Sequence, residues 1–117
     1  MLNQTQIMGR IVRTPTLRHV GMSDSPHTAF SIAVERNYRH RDGRNRDVDI
    51  IPCSAWNNTA EFITENFKEG DSIIVSGHLQ IRNWKSGPEE HSEMELVVDD
   101  AYFDPNRTRK DTIETNE

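Results

Sequence analysis

The chain has 117 residues, which suffices for one domain with a buried core but leaves little room for a second. Hydrophobic residues make up only 33% of it and the formal net charge is −5, so the core is narrow or is completed by association between subunits. The single cysteine excludes an intrachain disulfide. Without a signal-like N-terminus or an apolar run of membrane-spanning length, we expect a cytoplasmic protein.

The charges are distributed unevenly along the chain. Residues 10–46 hold eight arginines against three acids, whereas residues 47–117 hold six bases against sixteen acids. The net negative charge disfavours nucleic acid as a partner, but salt screens distant charges and leaves the local field to act on a ligand. An acidic body with one basic face can therefore still bind a phosphate chain.

The first third of the chain predicts two strands with a long connection between them. The first strand is Gln4–Arg13, and Gly9 inside it indicates a bend or a close approach of two backbones. Residues 14–26 are rich in turn formers and are expected to form the connection. Residues 28–34 alternate as a second strand, with Phe30, Ile32 and Val34 on one face.

A strongly basic hairpin follows the second strand, with its turn expected at Asp42-Gly43. Arginine offers phosphate a rigid fork of donors, and an exposed aromatic ring offers a base a face to stack on. Basic residues interleaved with an aromatic on β structure are typical of a groove for single-stranded nucleic acid. The alternative is a merely solvated, charged hairpin. The residues concerned are Arg36, Tyr38, Arg39, Arg41, Arg44 and Arg46.

The third strand, residues 50–56, has a small apolar face and a face that carries Ile50 and Trp56. We expect the former in the core and the latter outside. A helix over Asn58–Phe67 should begin with a capping box of Asn58 and Glu61 and end near Gly70. Its core face would be Ala60, Ile63 and Phe67, and the core face of the strand would be Ile51, Cys53 and Ala55.

Two further strands complete the pattern. The fourth, residues 71–81, should place Ile73, Val75, Leu79 and Ile81 inward and should leave Arg82 and Trp84 on the outward parity. Residues 85–92 form the turn, and the fifth strand, residues 93–103, should bury Met94, Leu96 and Val98. We therefore predict one domain over residues 1–104 and a polar tail over 105–117. The order predicts an all-β fold with one inserted helix: a five-stranded Greek-key barrel of the OB-fold type, with the helix between strands three and four.

The chain resembles the bacterial single-stranded DNA-binding protein family over residues 1 to about 104. The resemblance implies the OB-fold, binding and protection of single-stranded DNA in replication, recombination and repair, and a homotetramer. The segments that carry it are Leu2-Asn3, Gly9-Arg10, Pro15-Thr16-Leu17-Arg18, Phe30-Ser31-Ile32-Ala33-Val34, Cys53-Ser54-Ala55-Trp56, Ala60-Glu61 with Gly70, and Gly77-His78-Leu79-Gln80-Ile81-Arg82-Asn83-Trp84.

The family stacks bases on aromatic side chains at four places, and the resemblance assigns three of them here. Tyr38 matches the aromatic of the basic hairpin, Trp56 the one that ends the third strand, and Trp84 the one that follows the fourth. Ile50 occupies the remaining position, which removes one stacking platform. The arginines expected to contact phosphate are Arg36, Arg39, Arg41 and Arg82, with Arg10, Arg18, Arg44 and Arg46 as further candidates.

The chain departs from the family at two other places. Gln4, Thr5 and Gln6 dilute the first strand, which pairs subunits in the family, so a dimer is the alternative to the tetramer. The family's acidic, apolar C-terminal tip recruits replication and repair proteins. Arg107–Glu117 contains no such tip, so either this homologue does without it or the chain has been shortened.

No sequence pattern supports a cofactor, a metal site or catalysis. The five histidines show no i, i+4 pairing and no cysteine partner, and neither a glycine-rich phosphate loop nor a nucleophile with its base is present. One rival interpretation is an accessory OB-fold subunit of a replication-restart or phage recombination complex that acts mainly through protein contacts. The other is a cold-shock-type RNA-binding module, which would need no inserted helix.

Overall fold

A computed structural model describes residues 1–37 and 46–106 of the chain. It contains six strands and one helix in these residues. The elements are β1 (Thr5–Ile11), β2 (Arg18–Val20), β3 (Ser25–Glu35), β4 (Val48–Trp56), α1 (Asn57–Asn66), β5 (Ser72–Ser86) and β6 (Glu89–Phe103).

The strands form one sheet that closes on itself as a barrel. Its order is β1-β5-β6-β4-β3-β2, and a further pairing of β1 with β3 closes the five long strands into a ring. Only β4 and β6 run parallel among these pairs; Cys53 lies opposite Leu96 there. This confirms the predicted OB-fold barrel. The helix follows the third barrel strand as expected, although it lies between β4 and β5 because β2 adds one strand to the count.

The two strand segments that sequence reasoning missed are both exposed. β2 forms inside the predicted connection and pairs with the start of β3, but all three of its residues face solvent. β5 and β6 extend through the predicted turn to Ser86 opposite Glu89, which leaves only Gly87-Pro88 to reverse the chain. Gly87 has a positive φ of 62°, which suits a tight hairpin turn. Neither segment buries a face, so neither carries the alternation that reveals a strand.

The core is the inside of the barrel, and α1 closes one end of it. Apart from Ile81 of β5, the predicted core faces of α1, β3, β4 and β5 are buried or partly buried as expected. Phe62, Phe67 and Phe103 pack edge-to-face or stacked at 5.1–5.9 Å between ring centroids. The prediction was wrong for Ile81 and Met94, which face each other across β5 and β6 and are more than half exposed. From the Ile81–Met94 pair to its turn, the β5–β6 hairpin extends beyond the barrel, and we call this extension the arm.

The start and end of the helix differ from the prediction. α1 begins at Asn57, one residue before the expected cap, and no side chain among the described residues caps its first turn. Asn57 has a positive φ of 56°, so the chain turns from β4 into α1 at a residue type that tolerates this conformation. The helix ends at Asn66, and Gly70 instead donates its backbone N–H to the Ile11 carbonyl.

Two glycines lie where backbones approach closely. A Cβ on Gly9 would lie 2.7 Å from the Ala33 carbonyl oxygen, where β1 meets β3. This supports the predicted close approach. A Cβ on Gly77 would collide with the Val97 carbonyl at the bulge between β5 and β6. Both positions therefore exclude larger side chains, because backbone rather than a movable side chain fills the space.

Candidate nucleic-acid interface

The outer surface of β3 and β4 forms a trough with a floor of small side chains. Across these strands Ala29 lies opposite Ser54, and Ser31 lies opposite Pro52. The trough opens into a cleft of about 390 Å³ between Trp56 and the β5–β6 arm. The residues that line the cleft are His27, Ala29, Phe30, Ser31, Pro52, Cys53, Ser54, Trp56, Arg82, Glu93 and Glu95. Small residues in the floor and rings at the edge leave room for a flat ligand.

Trp56 stands at one end of the cleft in a row that crosses three strands. Trp56 is 42% exposed, and the centroid of its ring lies 4.3 Å from that of the His27 ring. His27 in turn lies opposite Arg18 of β2. Burial lowers the pKa of His27 below its ordinary value and Arg18 lowers it further, while Glu95 opposes the shift. A neutral imidazole thus supports the indole, and Arg18 brings a cation to the same row.

Trp84 lies on the arm, where two neighbouring side chains, Arg82 and His91, contact its ring. The Arg82 guanidinium carbon lies 4.4 Å from the centroid of the Trp84 ring, at the distance of a cation–π contact. His91, the cross-strand partner of Trp84, stacks beside it at 5.3 Å between centroids. The Trp84 side chain remains 38% exposed. Arg82 therefore helps to orient an aromatic face that is still open to a ligand.

Arg82 is also bound by two carboxylates of β6. Its Nη2 lies 3.4 Å from Glu93 Oε1, and its Nε lies 3.9 Å from Glu95 Oε2. A phosphate would have to displace these carboxylates to reach the guanidinium, so Arg82 is less available to phosphate than the sequence suggested. Sequence reasoning did not select Glu93 or Glu95. The only signal is their position on the fifth strand, where they alternate with Met94 and Leu96.

Two arginines lie at the base of the basic hairpin, and both have acidic partners. Arg36 donates from Nε and Nη2 to the two carboxylate oxygens of Asp49, at 3.0 Å each, and these hydrogen bonds lower the pKa of Asp49. Arg46 Nη1 lies 4.0 Å from Glu35 Oε2. Both pairs are exposed, and exposed ion pairs are weak enough for a polyanion to compete with them.

The structure also locates the other predicted site residues that it describes. Ile50 is 56% exposed on the outer face of β4, opposite Ala33 and on the same face as Trp56. Arg10 lies apart from the cleft: it pairs opposite Ser72, at the other end of β5 from Trp84, and donates to the Gly70 carbonyl at 3.1 Å. The remaining predicted residues, Tyr38, Arg39, Arg41 and Arg44, lie outside the described residues, as does the Asp42-Gly43 turn.

Other classes of site find no support in the part of the chain that the structure describes. Residues 1–37 and 46–106 contain no group of three or more histidine, cysteine or acidic residues placed to hold a metal ion. Within the same residues, no helix has the length and apolarity needed to cross a membrane. Burial raises the pKa of the Cys53 thiol to about 12, which disfavours the thiolate that a nucleophilic cysteine needs.

Comparison with known proteins connects the chain to a family. Residues 2–104 match the model of the single-strand binding protein family. The chain is 38% identical to a single-stranded DNA-binding protein of Caldanaerobacter subterraneus subsp. tengcongensis, over 88% of this chain and 68% of that protein. It is 33% identical to one of Fusobacterium nucleatum, over 98% of this chain and 75% of that one. It is 31% identical to single-stranded DNA-binding protein 1 of Lactococcus lactis, over 93% of this chain and 73% of that protein.

Proposed function

The chain belongs to the single-strand binding protein family, and we propose that it binds single-stranded DNA without strong sequence preference and keeps it unpaired during replication, recombination and repair. The observation that carries the proposal is the outer face of the barrel, where the half-exposed Trp56 borders a cleft floored by small residues. Trp84, also exposed, lies on the arm against Arg82, which lines the same cleft. Three relatives that are named single-stranded DNA-binding proteins support it.

The proposed mechanism is passive and involves no catalytic step. Bases stack on Trp56 and Trp84, and each such stack contributes about 1–3 kcal/mol. Arginines at the base of the hairpin and on β2 attract the phosphate chain, and the counterions that the DNA releases drive binding. Bases paired in a duplex cannot offer their faces to these rings, so the site selects single strands by geometry.

We further propose that the protein acts in the cytoplasm as a homotetramer, with a dimer as the alternative. Met8, Ile74 and Tyr102 form a row across β1, β5 and β6, and the first and last of them are more than half exposed. Such a row on a chain with few hydrophobic residues favours burial between subunits. Light scattering should give the mass of four or two chains at micromolar concentration. A monomer would contradict this assignment.

Competition binding tests the proposed function. A labelled oligo(dT) is titrated with the protein and then competed with unlabelled oligo(dT), duplex DNA and oligo(U). We expect only single-stranded DNA to compete at low concentration. Trp84→Ala should weaken binding by about 1–3 kcal/mol. Trp84→Phe keeps an aromatic ring, so it should lose much less binding free energy. Weak binding of every oligonucleotide would refute the proposal, and preference for oligo(U) would favour an RNA-binding module.

A further inference from the structure

The cleft beside Trp56 carries an excess of negative charge. Glu93 and Glu95 both line it, and Arg82 is the one cation among its lining residues. Arg82 lies within 4.0 Å of both carboxylates, and only 18% of the Glu95 side chain is exposed. Phosphate oxygens would meet these carboxylates at close range and be repelled. The chemistry of the cleft instead suits a neutral group that brings N–H donors.

A second observation points to a ligand in the same cleft. Ser54 lies on its floor and is 3% exposed, yet its hydroxyl oxygen has no hydrogen-bond partner among the described residues. Ala29, which lies opposite Ser54 on β3, has no polar side-chain atom that could bond to the hydroxyl group. Buried hydroxyl groups without partners are rare in folded proteins because they lose their bonds to water and gain nothing. A ligand group in the cleft would supply the missing partner.

We propose that this cleft receives the Watson–Crick edge of a base that bears an exocyclic amino group, with Glu95 as the acceptor for that group and Ser54 as the donor to the adjacent ring nitrogen. The inference rests on the proposed function and refines it: most of the strand binds without preference, and one position reads the amino group. Cytosine is the simplest such base. It presents an N4 amino donor beside the N3 acceptor, and carboxylates accept from cytosine N4 in known readout.

Thymine fits the same groups less well. Its Watson–Crick edge has a single N–H donor between two carbonyl oxygens, and these oxygens would face the carboxylates of Glu93 and Glu95. The ring of Trp56 can stack on either pyrimidine, because every base has an aromatic face. The difference between the two bases therefore arises at the base edge and depends on Glu95.

The test compares oligonucleotides that differ only in the amino group. One is oligo(dC), and the other has the same length with 2-pyrimidinone, which is cytosine without its amino group, at every position. We expect wild-type protein to bind oligo(dC) about five- to tenfold more tightly. Glu95→Met, which removes the acceptor, should bring the ratio of the two affinities close to one. Glu95→Gln, which keeps a neutral acceptor, should give an intermediate ratio.

Two further variants control the interpretation. Glu90→Gln removes a carboxylate that pairs with Lys85 on the arm near its turn, outside the cleft, and should leave the ratio unchanged. Ser54→Ala should lower the affinity for both oligonucleotides by a similar factor, about threefold, because both retain the ring nitrogen that accepts from Ser54. Thermal melts establish that each variant is folded. Glu95→Gln is nearly isosteric and keeps the test decisive if Glu95→Met does not fold.

The outcomes separate the two proposals. If the wild-type protein binds oligo(dT) tightly but binds oligo(dC) and the 2-pyrimidinone oligonucleotide equally well, the amino-group assignment is overturned and the proposed function stays intact. A wild-type ratio that persists in both folded Glu95 variants would overturn it as well. Failure to bind any oligonucleotide would overturn both proposals together.

Discussion

Adjacent isoleucines of β4 offer a direct test of which face binds DNA. Ile50 is more than half exposed on the face of Trp56 and lies opposite Ala33, whose small side chain leaves room for a ring. Ile50→Phe should therefore add a stacking surface and raise affinity for oligo(dT) by up to about 1 kcal/mol, or about fivefold. Its free energy of unfolding should change by less than about 0.5 kcal/mol, as expected for an exposed site.

Ile51→Phe is the matched control because it makes the same change on the opposite face. Ile51 packs against the core and lies opposite Ile32, which is fully buried. The larger ring should overpack this region and lower the free energy of unfolding by about 1–3 kcal/mol, with no gain in affinity. Urea unfolding and anisotropy titrations of both variants decide the matter. Tighter binding by Ile51→Phe together with destabilisation by Ile50→Phe would refute the face assignment.

Three other predictions concern charge, pH and packing. The logarithm of the affinity for DNA should fall with the logarithm of the salt concentration with a slope of roughly −3. The double variant Arg39→Ala/Arg41→Ala should have a flatter slope, whereas the control Lys68→Ala should not. An unchanged slope in the double variant would show that the hairpin is only solvated. Because His27 has a pKa below its ordinary 6.5 in the folded protein, unfolded chains take up its proton first, so stability should fall as the pH drops below about 6.5. Urea unfolding at pH 7 and pH 5 should show a smaller loss for His27→Gln, and an equal loss would contradict this. Gly77→Ala should cost about 3 kcal/mol of unfolding free energy, and a neutral result in thermal melts would refute the close backbone contact.

The parts of the fold that the sequence predicts are those with a buried face. Ile73 and Val75 alternate with polar residues, and Ala60 and Ile63 recur at helical spacing, because one side of each element must leave water. The Ile81–Met94 pair keeps this alternation past the point where the strands leave the barrel. Its apolar side chains therefore predicted burial where the structure has an exposed arm.

The chemistry of the cleft was harder to predict because it depends on strand register. Trp56 and Trp84 are visible as aromatics on outward parity, and parity needs only local sequence. His27 lies beside Trp56 only because β3 pairs with β4 in one register. Glu95 likewise approaches Arg82 through the β5–β6 pairing, and the parallel β4–β6 pair places it in the same cleft as Pro52 and Ser54. These neighbours are set by contacts distant in sequence.

Trp56 and Trp84 are both expected to face the bound strand, and the chain has only these two tryptophans. Trp84→Phe leaves Trp56 as the single indole reporter, and Trp56→Phe leaves Trp84, so each emission can be followed separately during an oligo(dT) titration. We expect strong quenching in both proteins, because a stacked base lies directly on the remaining indole. Unchanged emission from either tryptophan, at binding verified as saturating by anisotropy, would contradict the assignment of that ring to the interface.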